Sequence, residues 1–96
     1  NNLNEKTIRI INSQNFIHLN FDLNKIEKLD TKMFYEAFKL NFLYLKSNRI
    51  NKIEEDTFLN MKALFELDLS QNFIGKLEEF TFKNLVRLKY LNLSSN

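Results

Sequence analysis

The sequence predicts an α/β solenoid: an arc of stacked 24-residue coils, with a short parallel β-sheet on its concave side and irregular or short helical return segments. Three observations carry this. LFELDLSQN (64–72) has counterparts displaced by multiples of 24 residues in FIHLNFDLN (16–24), LNFLYLKSN (40–48) and LKYLNLSSN (88–96). The segments between them repeat as well, aligning Ile26 with Ile50 and Ile74, Leu29 with Ile53 and Leu77, Phe34 with Phe58 and Phe82, and Ala37 with Met61 and Leu85. A unit of this length cannot bury its apolar side alone, so a period of this kind outranks any local helix or strand signal.

The alternating leucine pairs, such as Leu67 and Leu69, read as short strands whose intervening residue faces the other way. Parallel pairing at about 4.8 Å would join their leucines into one core. Each unit then closes on an asparagine, giving a structural ladder of Asn24, Asn48, Asn72 and Asn96. There the backbone turns out of the strand, and a carboxamide can satisfy the groups the turn leaves unpaired.

The return segments hold no proline and one glycine, Gly75. Phe34, Phe58 and Phe82 are therefore expected to fill the convex side as a second buried row. TKMFYEAFKL (31–40) places Met33, Ala37 and Leu40 on one helical face. About a dozen residues are left for a return leg, which limits such a helix to one or two turns.

Residues 16–96 form the regular part of one domain fragment spanning 1–96, and about 1–15 is a divergent or partial repeat. TIRIIN (7–12) reads as a strand within it. The last strand has little chain left to cover it, so the chain reads as part of a longer protein.

These columns resemble the leucine-rich repeat family, whose pattern is LxxLxLxxN, and within it the 24-residue class with the return segment xIxxLxxxxFxxLxxL. That class is most common in extracellular receptors and secreted recognition proteins, including Toll-like receptors and insect immune proteins. The resemblance implies an extracellular or secreted protein, or the ectodomain of a membrane protein. It further implies recognition of a protein or glycan ligand, with a protein ligand or co-receptor and a homo- or heterodimer in the parent protein.

With the leucines inward, the concave face is read by column. His18, Phe42, Glu66 and Tyr90 form the first, Asn20, Tyr44, Asp68 and Asn92 the second, and Asp22, Lys46, Ser70 and Ser94 the third. Asp22 and Lys46 are expected to pair. Phe42 and Tyr44, two aromatics beside His18, are the anchors of a candidate binding patch.

Other chemistry finds little support. The chain has no cysteine and His18 is its only histidine, so neither a catalytic nor a metal site is expected and no cofactor is assigned. Glu66 and Asp68 are solvated acids on an open ladder, because a glycosidase pair needs a cleft. A net charge of +2 and acidic runs at 54–56 and 78–79 interleaved with lysines give no claim on nucleic acid. No apolar run approaches the length of a membrane span, so no direct membrane insertion is expected. NLS at 92–94 fits the glycosylation acceptor and makes Asn92 a candidate glycan site, hence a glycoprotein.

The preferred reading is a non-enzymatic recognition module of an extracellular receptor or secreted innate immune protein. Its alternatives are an intracellular adaptor or scaffold, or a structural spacer or dimerisation segment.

Overall fold

Successive passes of the chain add strands in sequence order. The computed structural model describes residues 17–96. The expected strand at 7–12, and the divergent segment 1–15, lie outside these residues. Strands β1 (His18–Asn20), β3 (Phe42–Tyr44), β5 (Glu66–Asp68) and β6 (Tyr90–Asn92) form a four-stranded parallel sheet in the order β1-β3-β5-β6. The register pairs Leu19 with Leu43, Leu43 with Leu67, and Leu67 with Leu91. A second parallel sheet joins β2 (Lys28–Leu29) to β4 (Lys52–Ile53).

This corrects the expected α/β arc. The structure builds two discrete sheets of four and two strands, and among the described residues there is no α-helix. The helical element is a 3-10 turn, Thr31–Phe34, opened by Asp30, whose carboxylate accepts from the Met33 N–H at 3.2 Å. The physical reason lies in the length of the return leg. It descends through consecutive turns that bond three residues apart, Thr57 to Glu54 at 3.1 Å and Met61 to Phe58 at 3.2 Å, and never reaches the four-residue spacing of an α-helix. Extents of 30 × 29 × 19 Å leave no drawn-out arc at this length.

The two sheets enclose one core. Leu43, Leu45, Leu64, Leu67, Leu69 and Ile50 are fully buried behind the larger sheet. On the far side Phe34, Phe58 and Phe82 lie in a row, with centroids 6.4 and 5.8 Å apart and planes within 25° of parallel. Their rings fill the width that the return turns open. The smaller sheet ends at β4, and Leu77, aligned with Leu29 and Ile53, is left 36% exposed.

Four residues carry the sharp exit from the larger sheet. Leu23, Ser47, Gln71 and Ser95 have φ of 60, 59, 56 and 58°, each immediately before a ladder asparagine. Left-handed backbone is unusual for non-glycine residues, and here it recurs at the 24-residue offset. The ladder of backbone bonds runs up to it, through Leu23 N–H to Lys46 at 2.9 Å and Ser47 N–H to Ser70 at 3.0 Å.

Asn48, Asn72 and Asn96 then each fasten two passes. Asn48 accepts from the Ile26 N–H at 3.2 Å and donates to the Phe21 and Leu45 carbonyls at 3.0 Å. Asn96 does the same with Ile74 at 3.0 Å, Leu69 at 2.9 Å and Leu93 at 3.0 Å. Buried main-chain groups that a turn would strand are thereby paired.

Candidate functional site

The outer face of the four-stranded sheet carries a continuous array of aromatic, acidic and amide side chains. The pleat that buries Leu19, Leu43 and Leu67 turns the residues on either side of each outward. Register places His18 beside Phe42 beside Glu66 beside Tyr90, and Asn20 beside Tyr44 beside Asp68 beside Asn92. The two expected columns therefore come together on one surface.

Aromatic rings link its upper edge. His18 lies 5.8 Å from Phe42 and 5.1 Å from Tyr44, centroid to centroid, the latter edge-on at 70°. Phe42 meets Phe65 at 6.1 Å, and Phe65 meets Tyr90 at 5.4 Å, both edge to face. The column reading passed over Phe65. Its counterparts are Ile17, Asn41 and Lys89, which share no chemistry. The one available signal was an aromatic adjacent to a strand whose own first residue is charged.

The polar residues behave less uniformly than columns suggest. Asn20, Asp68 and Asn92 each accept from the N–H two residues on, at 2.9, 2.9 and 3.0 Å. Asp68 also accepts from the Ser70 hydroxyl at 2.6 Å. That contact draws Ser70 in to 3% exposure, so the side chain expected on the face is buried beneath it. The Asp22 carboxylate accepts from the Lys46 backbone N–H at 2.7 Å, so it meets the main chain of its expected partner. Lys46 and Ser94 are exposed.

Tyr44 is the electrostatic centre. Burial first, then the charge of Glu66 and a hydrogen bond to it, then Asp68 and Asp22, raise its phenol above the ordinary value of 10.0. Glu66, Asp68, Tyr90 and Asn92 line an open depression of about 510 Å³, together with Lys89, Leu67 and Leu91. Lys89 holds its ammonium 5.8 Å from the centre of the Tyr90 ring.

No group of three or more candidate metal ligands occurs among the described residues, and no helix there is long and apolar enough to cross a membrane. The arrangement offers an open surface with aromatic anchors, carboxylates and fixed amides.

The leucine rich repeat pattern matches residues 38–96, more than half of the chain. The chain belongs to the leucine-rich repeat family. No curated protein matches it.

This family match also limits the resemblance drawn from sequence. It is to the repeat in general. Two discrete sheets in place of one continuous arc with irregular or short helical return segments remove the support for a kinship with Toll-like receptors or insect immune proteins. The extracellular receptor and innate immune reading is corrected on the same ground.

Proposed function

We propose that this leucine-rich repeat chain is a segment of an adaptor or scaffold protein, non-enzymatic and intracellular, that holds a protein partner against the outer face of its four-stranded sheet. The observation that carries the reading is the linked row of His18, Phe42, Phe65 and Tyr90. Aromatic side chains already held by one another lose little freedom on binding, which makes them effective anchors. The strands beneath are fixed by asparagine bonds between passes, so the anchors sit on a rigid support.

Site-specific photo-crosslinking tests this. A crosslinker at Tyr44 is expected to capture a discrete protein partner in cells, and one at Val86, exposed on the return side, is not. Equal capture from both positions refutes the assignment of the face. In this reading Asn92 stays outside the secretory route, and mass spectrometry of the native protein should find it without a glycan.

A further inference from the structure

The negative charge of the face is gathered around one ring. Tyr44 stands in register with Asp68, with Glu66 two residues before it on β5, while Asp22 follows the neighbouring strand β1. After burial, the charges of all three carboxylates raise its phenol above the ordinary value.

On the next strand, Lys89 over Tyr90 shows that the aromatic row accepts a cation. Beside the Tyr90 ring, along β5 and β6, lies the depression of about 510 Å³, with Glu66 and Asp68 on alternate positions of β5 and therefore on one side. Asp68 commits Oδ1 to the N–H and hydroxyl of Ser70, and no hydrogen bond engages its Oδ2 among the described residues.

We infer that this depression receives an arginine side chain from the partner protein, an inference that rests on the reading of this face as a protein-binding surface. A guanidinium can lie flat on a tyrosine ring while its fork of N–H groups reaches carboxylates on one side, whereas an ammonium offers a point charge without that plane. Charge complementarity selects against an acidic segment, because Glu66 and Asp68 would face it. Lys89 plays a defined part: it occupies the Tyr90 ring, so arginine binding displaces it.

The test is an amide NMR titration of the whole chain with a blocked peptide of alternating serine and arginine, against the same peptide carrying neutral citrulline. The arginine peptide should give saturable shifts centred on Tyr44, Glu66, Asp68 and Tyr90, and the citrulline peptide should bind about tenfold more weakly or less. Glu66→Gln with Asp68→Asn should weaken the arginine peptide by about tenfold, and Lys89→Ala should tighten it by about twofold to fivefold. Should the double variant lose its native spectrum, citrulline and Lys89→Ala decide the matter in folded protein.

Equal binding of the two peptides, no saturable binding, or shifts centred on the return side overturns the inference. The reading it rests on fails separately. If crosslinking from Tyr44 is unchanged in the folded Glu66→Gln, Asp68→Asn variant, the arginine is wrong and the face stands; if Tyr44 captures nothing, both fall.

Discussion

The Asn72 carboxamide accepts from the Ile50 N–H at 3.0 Å, 22 residues back in the chain, and so ties one pass to the one before it. Its amide donates onward to the carbonyls of Leu45 and Leu69 at 3.0 Å and Ser70 at 3.1 Å. Asn72 is 4% exposed, so no water replaces these partners. Asn72→Ala is expected to cost about 3 kcal/mol, because it strands buried backbone groups on two passes. Asn24 makes a useful contrast: its amide bonds Phe21 and Asp22, while its Oδ1 finds no partner among the described residues. Asn24→Ala should cost less than half as much, and urea denaturation of both variants checks the ordering.

How much of this was legible follows from what a column of residues records. Leu43, Leu67 and Ile50 share a type with their counterparts because they share an environment, so their burial and 24-residue register could be read before any coordinates. The ladder asparagines were legible for the same reason. Phe65 was not, since its column holds four unlike side chains. The left-handed exits at Leu23, Ser47 and Gln71 were hidden because the strain is in the backbone and no glycine marks it. The second sheet escaped because two-residue strands such as Lys28–Leu29 are too short to show alternation. Ser70 was misplaced because one hydroxyl bond to Asp68 outweighed its position in the pleat.

Leu23 joins left-handed backbone to an exposed apolar side chain, with φ 60° and 78% exposure. Nothing in its burial offsets the steric cost that a side chain meets there. Asparagine tolerates this conformation by bonding locally, and a β-branched residue tolerates it least. Leu23→Asn should therefore raise stability by about 0.5–1 kcal/mol, and Leu23→Val should lower it by about 1–2 kcal/mol. Thermal melts that rank valine above asparagine would remove the strain argument.

Phe58 sits between Phe34 and Phe82 at 1% exposure and stacks on both. Phe58→Ala opens a cavity in the middle of the return side, where rigid turns limit collapse. The expected loss is about 3–5 kcal/mol, a large share of the roughly 5–15 kcal/mol that holds a typical domain. Phe82 is only half-buried, so Phe82→Ala should cost less. Chemical denaturation with circular dichroism distinguishes this from a uniform row, in which the two losses would be equal.

Tyr44 supplies a test that reads the electrostatics of the face without any ligand. Its phenol is held above 10.0 by burial first and then by Glu66, Asp68 and Asp22, so the folded chain grips that proton more tightly than the unfolded chain does. The sign follows: the stability tied to this proton is fully present below pH 10.0 and is lost as the pH rises through the higher folded value. Phenolate absorbance, taken as the difference from Tyr44→Phe, should place the Tyr44 transition above its ordinary value. Glu66→Gln should move that transition downward by removing a charge, while the contribution of burial keeps part of the elevation. A transition indifferent to Glu66→Gln would mean that the carboxylate and the ring do not share a field, and the acidic character assigned to the depression would lose its physical basis.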